Sequence, residues 1–211
     1  MGRVLRTPPA ARGEPGARLP RAFFARRSPV VARALIGKLM VHRSPAGPAG
    51  GVVVEVEAYD QRDPASHSFA GETARNRVMF GEAGHAYVYF SYGVHWCFNV
   101  SAETARVGAG VLVRALEPLA GIELMQRRRG ADRLADLARG PGRLTAAMGI
   151  DKRLDGVDLC AAGSLWLAAA SKRVGPIGRS VRIGITKEAH RRLRFYERGS
   201  VFVSGSLALR N

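Results

Sequence analysis

The sequence has few cysteines: Cys97 and Cys160 are the only two, and they lie far apart. Two cysteines cannot build the disulfide framework of a small secreted protein, and neither has a neighbour at the spacing of a zinc site. We therefore expect two small apolar side chains in a reducing compartment and no metal centre.

Long apolar segments are missing as well. The longest candidate, residues 159–170, is interrupted by Gly163 and Ser164, and it is shorter than the roughly 18 residues that indicate a membrane span. The N-terminus lacks the apolar region of a secretory signal and the Ser or Thr of a myristoylation motif. The sequence predicts a cytoplasmic protein that is not inserted in a membrane.

Acidic residues and lysines are scarce relative to arginine. The chain has 33 Lys and Arg against 17 Asp and Glu, a net charge of +16, and only four of the basic residues are lysines. This excess of positive charge indicates a polyanionic partner, nucleic acid or an anionic membrane surface. Arginine in particular favours planar, bidentate contacts with phosphate. A GC-rich genome, which encodes Arg, Ala and Gly heavily, is the alternative explanation.

The domain organisation follows from length and composition. With 211 residues, 46% of them hydrophobic, the chain is long enough for one domain with a sizeable core. Residues 1–19 are rich in Pro, Gly and Arg, which predicts a flexible basic N-terminal arm, or alternatively an organellar transit peptide. Residues 20–207 are predicted to form a single domain.

Local signals predict three main helices. The Ser-Pro pair at 28–29 is typical of a helix start, and Gly37 is expected to end that helix. A second helix is expected to begin at Pro118, with Leu119 facing inward. A third is expected after the Gly-Pro-Gly segment at 140–142.

Strand patterns lie between and after these helices. Runs of β-branched and aromatic residues predict strands at 51–58, 87–92, 95–101, 110–116, 180–185, 194–196 and 201–204. Helices and hairpins alternate without a βαβα rhythm. We therefore predict an α+β fold, a single mixed domain with a curved, largely antiparallel β-sheet flanked by helices.

The strand at 51–58, GVVVEVEA, carries two carboxylates. Its period of two places residues 52, 54, 56 and 58 on one apolar face and Glu55 and Glu57 on the other. An acid on such a strand is by default a solvated, outward side chain. A metal site would need a third ligand, and no His or Asp follows at a suitable spacing.

Aromatic, basic and polar residues follow Glu57 closely: Tyr59, His67, Arg75, Asn76, Arg77, Tyr87, Tyr89, Tyr92, Trp96 and Asn99. An enzyme that excises a base must take it out of the stack, hold it between aromatic faces and direct an activated water at its sugar. This set of side chains could do so. Taken singly, each tyrosine is more often a core residue.

Five motifs occur in one order along the chain: EVEAY (55–59), RNRVMF (75–80), YVYFSYG (87–93), LVRALEP (112–118) and RGPGRL (139–144). In this order they resemble the alkyladenine (3-methyladenine) DNA glycosylase family, and the similarity runs from residue 32 to residue 200. The resemblance implies a monofunctional, cofactor-free glycosylase of base excision repair. It would act as a monomer on double-stranded DNA, flipping out and hydrolysing off alkylated or deaminated purines.

The resemblance also implies roles for particular residues. Glu57 matches the general base that deprotonates the catalytic water, and Arg114 matches a residue that orders this water and contacts the DNA backbone. Tyr59, His67 and Tyr89 match the walls of the base pocket, His67 partly through its backbone amide.

The remaining matched positions concern recognition. Asn99 matches a selector whose amide clashes with the exocyclic amine of guanine. Tyr92 matches the wedge that fills the gap left by the flipped base. Arg75, Arg77 and Met79 match positions that line the DNA groove.

The sequence departs from the mammalian pattern of the family at three places. The loop between Tyr59 and His67 is one residue shorter and carries Ser66, so the pocket should differ in shape. Val94 and His95 stand where Met and Tyr are usual, and the segment 103–108 differs in length. No chemical group that the mechanism needs is lost.

Three other functions are compatible with part of the pattern. A bifunctional glycosylase/lyase needs an amine nucleophile, but no lysine lies in a motif and the N-terminus is not proline. A non-catalytic damage sensor would keep the fold without needing both Glu57 and Arg114. An RNA-associated basic protein would use the tyrosines for stacking and would not need Glu57.

Overall fold

The computed structural model describes residues 16–169 and 175–206. Most of the predicted N-terminal arm, residues 1–15, lies outside the described residues, as does residue 207 at the predicted end of the domain. Residues 16–19 run along the sheet edge: Arg18 forms an isolated β-bridge with Ala168, and the Leu19 N–H donates to the Leu167 carbonyl oxygen.

The described strands form one sheet in which every pair is antiparallel. They are β1 (Leu39–Ser44), β2 (Gly47–Tyr59), β3 (Ala86–Ser91), β4 (His95–Ser101), β5 (Gly110–Ala120), β6 (Leu165–Ala168), β7 (Ile177–Ser180) and β8 (Arg194–Glu197). The main order is β3-β4-β5-β2-β1-β6. The long β2 pairs with β1 through its first half and with β8 near its end, and β7 extends β8.

The described helices are short: α1 (Arg21–Phe24), α2 (Ser28–Leu35), α3 (Ile122–Arg129), α4 (Leu134–Leu137) and α5 (Pro141–Met148). Single 3₁₀ turns cover Arg77–Phe80 and Lys152–Leu154. With the curled antiparallel sheet, these helices confirm the prediction of a single mixed α+β domain. In α2, Pro29 lies in the first turn and Val31 and Leu35 are buried, as the Ser-Pro signal predicted.

The predicted helix start at Pro118 is wrong. Strand β5 continues through Pro118 to Ala120, and Leu119 is 44% exposed rather than inward-facing. The helix α3 begins only after Gly121, which has a φ of 69° and at which any Cβ would collide with the Pro48 carbonyl oxygen. Pro118 is tolerated in the strand because the pairing with β2 is irregular there.

The period-two prediction for residues 51–58 is wrong in its first half. A β-bulge lies between Val53 and Glu55, where the register against β5 shifts. Val53 therefore packs in the main core, whereas Val54 faces the opposite side with a small apolar cluster. Beyond the bulge the alternation holds, and Glu55 and Glu57 lie opposite the core side chain of Val56.

Two predicted C-terminal strands are also absent where they were expected. The strand β7 ends at Ser180, so residues 181–185 form a loop instead of a strand. Residues 201–204 form a turn and an irregular segment. Their backbone groups bind charged side chains beneath β2 and β5 rather than a neighbouring strand, as described below.

The main hydrophobic core lies between one face of the sheet and the helices, with Phe24, Leu35, Phe98, Leu116 and Met148 completely buried. Within the described part of the chain, no helix combines the length and the apolar character needed to cross a bilayer. The opposite face of β2, β3, β4 and β5 is free to form an open site.

Candidate active site

A cavity of about 500 Å³ opens on that face of the sheet. Nine of the ten residues that the resemblance singled out line it: Glu57, Tyr59, His67, Arg75, Met79, Tyr89, Tyr92, Asn99 and Arg114. Arg77, the tenth, is exposed and does not line the cavity. Residues between positions 57 and 114 of the sequence thus line a single cavity.

Glu57 lies at the bottom of this cavity with no solvent exposure, so the default interpretation of a solvated carboxylate is wrong. Its Oε2 accepts hydrogen bonds from the Tyr59 hydroxyl at 2.9 Å and from Nη1 of Arg114 at 3.2 Å. Its Oε1 accepts from the Ile183 backbone N–H at 2.7 Å. A carboxylate oxygen typically accepts about two hydrogen bonds, so among the described residues Oε2 has its usual number of donors and Oε1 retains one acceptor position.

Two guanidinium groups balance two carboxylates beneath the cavity. Arg114 donates from Nε to Oε1 of Glu55 at 2.9 Å, and Arg194 donates from Nε to the same oxygen at 2.7 Å. Burial raises the pKa of Glu55, but the charges of Arg114 and Arg194 outweigh this effect and the pKa lies below its ordinary value. Burial lowers the pKa of Arg114, but Glu57 and Glu55 more than compensate, so Arg114 remains charged.

Ser204 completes this charged group from the C-terminal segment. Its backbone N–H donates to Oε2 of Glu55 at 2.6 Å and its hydroxyl donates to Oε1 at 2.9 Å. Its carbonyl oxygen accepts from Nη2 of Arg194 at 3.0 Å. Sequence reasoning missed both Ser204 and Arg194 because no local pattern distinguishes them.

Arg182 supports the wall of the cavity from behind. Its guanidinium is buried, lies 4.6 Å from the centroid of the Tyr59 ring, and pairs with the buried carboxylate of Asp63. It also donates to the Ala58 carbonyl oxygen at 3.2 Å. Burial, followed by the neighbouring charge of Glu57, raises the pKa of Tyr59, so its hydroxyl keeps its proton. Sequence reasoning missed Arg182, which is one arginine among 29.

Aromatic rings form the upper wall of the cavity. The His67 ring lies 4.4 Å from Tyr89, and Tyr87 lies 5.3 Å from Tyr89. Nδ1 of His67 is 2.9 Å from the Tyr87 hydroxyl. Partial burial and the nearby charge of Arg75 lower the pKa of His67, so this ring is neutral at pH 7. The wall therefore presents neutral aromatic faces to a flat ligand.

The loop that carries His67 is held by Asn76, which was part of a motif but was not assigned a role. Its Nδ2 donates to the carbonyl oxygens of His67 at 2.7 Å and Gly71 at 3.0 Å. Its Oδ1 accepts from the Thr73 backbone N–H at 2.6 Å. Asn99 is almost completely buried at the cavity and donates to the Tyr87 carbonyl oxygen at 3.3 Å.

The hairpin between β3 and β4 projects beyond the cavity. Tyr92 at its tip is 88% exposed. Its φ of 50° is a backbone conformation that residues other than glycine adopt at a cost in free energy. Val94 is 74% exposed, while the rings of Phe90 and Trp96 pack against each other at a tilt, with centroids 4.8 Å apart, at the base of the tip. A strained, exposed aromatic side chain on a braced hairpin is suited to contact a partner.

Comparisons with known proteins point to one family. A family model described as methylpurine-DNA glycosylase (MPG) matches residues 22–201. A protein of Mesorhizobium japonicum is 56% identical over 94% of this chain and 96% of its own length. One of Paraburkholderia phytofirmans is 49% identical over 83% and 82%, and one of Methanoculleus marisnigri is 51% identical over 88% and 98%. All three are provisionally named 3-methyladenine DNA glycosylases.

Proposed function

The chain belongs to the methylpurine-DNA glycosylase family, and we propose that it is a monofunctional enzyme that excises damaged purines from duplex DNA in base excision repair. The proposed substrates are alkylated or deaminated purines of the class that includes 3-methyladenine, 7-methylguanine, hypoxanthine and ethenoadenine. As a DNA glycosylase, the enzyme hydrolyses an N-glycosidic bond.

One observation carries the proposed mechanism: Glu57 retains an acceptor position on Oε1 at the bottom of an aromatic cavity. A water that donates to this oxygen loses a proton to Glu57 while its oxygen bonds to the anomeric carbon. The glycosidic bond breaks and its electron pair leaves with the base. Nη1 of Arg114, through its hydrogen bond to Oε2, holds the accepting carboxylate in place.

The aromatic wall suits the proposed class of base. Alkylation at N3 or N7 makes a purine cationic, and the faces of Tyr59 and Tyr89 attract a cation. Such a base is already a good leaving group, since it departs as a neutral molecule. We propose that Asn99 rejects normal guanine through a clash with its exocyclic amine, which a buried and hydrogen-bonded amide cannot easily avoid.

DNA contact is proposed for the projecting hairpin and the nearby arginines. Tyr92 would enter the gap in the duplex, where unstacking the target base costs a few kcal/mol. Arg75 and Arg77, which are exposed, would line the groove, whereas Met79 is buried and could contact only a group that enters the cavity. The net charge of +16 favours a phosphate backbone as the partner.

The lining of the cavity favours simple hydrolysis. Among the described residues, none of those that line the cavity is a lysine, and a lyase would need an amine to form a Schiff base. We propose that the enzyme acts as a cytoplasmic monomer. Borohydride trapping on abasic-site DNA should give no covalent adduct, and a trapped species would contradict the monofunctional assignment.

The test is single-turnover excision from two duplexes, one with hypoxanthine and one with 3-methyladenine. We expect the wild type to excise at least one base and Glu57→Gln to be slower by a factor of roughly 10²–10⁴ with lesion binding retained. The exposed Glu123 on α3 provides the matched control, and Glu123→Gln should behave as the wild type. Tight lesion binding by a wild type that excises neither base would instead indicate a damage sensor.

A further inference from the structure

We propose that Glu55 is a positioning residue that holds Arg114 in an orientation in which it occupies only one oxygen of Glu57. The other oxygen, Oε1, then stays available for the attacking water. This inference rests on the proposed function, because it concerns the carboxylate that the proposal makes the general base.

The first step of the argument is the pairing geometry of Arg114. A guanidinium and a carboxylate often pair through two parallel N–H···O bonds, one to each oxygen. In this structure Nε of Arg114 is bound to Glu55 at 2.9 Å, and only Nη1 reaches Glu57, at 3.2 Å from Oε2. Without Glu55, Arg114 could turn and bind both oxygens of Glu57, which would block Oε1.

The second step is that Glu55 is itself fixed. Arg194 and the backbone and hydroxyl of Ser204 bind it at 2.6–2.9 Å, in addition to Arg114. The Glu55 side chain has no solvent exposure. Because donors surround both oxygens, Glu55 cannot rotate without breaking charge-assisted hydrogen bonds. It therefore imposes one orientation on Arg114.

The third step concerns the residue that anchors Glu55. Ser204 lies beyond residue 201, where the match to the family model ends. Its hydroxyl donates to the same Oε1 of Glu55 that binds Arg114, and Nη2 of Arg114 lies 3.5 Å from that hydroxyl. Ser204 thus takes part in orienting Arg114 through Glu55.

A double-mutant cycle distinguishes positioning from a general loss of structure. We expect Glu55→Gln to slow single-turnover excision at least about ten-fold, with the Kd for lesion duplex unchanged. Arg114→Met should also slow excision. Because Glu55 acts through Arg114, the double variant should be no slower than Arg114→Met alone. The double variant also removes one charge of each sign, so the buried charges remain balanced. Losses that multiply in the double variant would overturn the proposal.

Substitutions of Ser204 test the same idea while leaving the buried charges intact. Ser204→Ala should slow excision about three-fold, the size expected for one hydrogen bond, and Ser204→Thr should restore the wild-type rate. Ser164 is exposed, and Ser164→Ala serves as the matched control at the wild-type rate. Wild-type excision by Ser204→Ala would overturn the role of the C-terminal segment.

The two proposals fail in different ways. If the wild type excises no lesion, the proposed function is wrong. If the wild type is active and Glu57→Gln is inactive, but Glu55→Gln excises at the wild-type rate, only the positioning role is wrong. Rates are measured with enzyme in excess over DNA and corrected for the fraction of enzyme that binds lesion duplex, so partial unfolding does not imitate a positioning defect.

Discussion

The floor and the rim of the cavity are built in opposite ways. The floor consists of buried, mutually bonded polar side chains: Glu55, Glu57, Arg114, Arg194 and Ser204. The rim consists of exposed side chains at and beside the cavity: Arg75 and Tyr92 line the cavity, and Arg77 and Val94 are exposed two residues along the chain from them. The charged groups of the floor are bonded mainly to one another, whereas the side chains of the rim are exposed to solvent.

The difference indicates that the floor serves the chemical step and the rim serves DNA binding. Hydrogen bonds between charges are stronger away from water, so the floor holds its atoms in one arrangement, as a reacting carboxylate requires. The rim side chains are accessible to the long, charged surface of a duplex. We therefore expect changes in the floor to alter the rate of excision and changes in the rim to alter binding.

The largest expected effect is in the floor. Arg114→Lys keeps the positive charge but loses the planar guanidinium that reaches Glu55 and Glu57 at once. We expect the single-turnover rate to fall about 100-fold, as when a single stabilising donor is lost, with lesion binding retained. A variant that loses binding and keeps its rate would contradict the division between floor and rim.

A smaller effect is expected at the tip of the hairpin. Tyr92→Ser should weaken binding to lesion duplex about ten-fold, because the serine cannot fill the gap left by an extruded base. Binding to undamaged duplex should change little, and the rate at saturating enzyme should stay near the wild-type value. Fluorescence anisotropy with both duplexes measures this. Equal losses for the two duplexes would make Tyr92 a scaffold residue.

A still smaller effect is expected for the arginine outside the cavity. Arg77→Gln should weaken the binding of damaged and undamaged duplex equally. It should also reduce the slope of log K for binding against log salt concentration by about 0.9, the value for one phosphate contact. The matched control is Arg33→Gln, which should leave the slope unchanged. Arg33 is exposed on α2, and this helix covers the core face of the sheet, away from the cavity. An unchanged slope for Arg77→Gln would remove it from the DNA interface.

The smallest effect concerns protonation at the upper wall. The pKa of His67 is lowered by partial burial and by Arg75, and that of His42 is lowered by burial. The folded state therefore prefers neutral rings, and the free energy of unfolding should fall as the pH drops below about 6.5. His67→Gln should make this decrease shallower without abolishing it, since His42 remains. The measurement is the free energy of unfolding of the wild type and of His67→Gln between about pH 7.5 and 5. If it falls equally with pH in the two proteins, the lowered pKa of His67 is contradicted.

The sequence predicted much of the site because its chemistry is concentrated in short motifs. Residues from Glu57 to Arg114 lie on consecutive antiparallel strands or on the loop that joins two of them. Hairpin neighbours are brought together by local turns, so side chains near one another in sequence face one cavity. Asn76 could have been found in the same way, as a polar residue between two matched arginines.

The remaining part of the floor could not have been predicted from local patterns. Ile183 binds Glu57 from 126 residues away in the chain, and Ser204 binds Glu55 from 149 residues away. Both segments were expected to be strands because β-branched residues predict extended backbone. Their backbone N–H groups instead donate to the buried carboxylates of Glu57 and Glu55, which lie far away in the sequence.

The sequence by itself determined the class of fold, the central strand with its two acids and the aromatic residues beside them, because these follow from local periodicity and residue chemistry. Only the tertiary structure decided the bulge at Val54, the extension of β5 through Pro118, and the enclosure of Glu55 and Glu57 by the C-terminal segments. Strand pairing outweighs local helix signals, and a buried carboxylate must find donors wherever the folded chain supplies them.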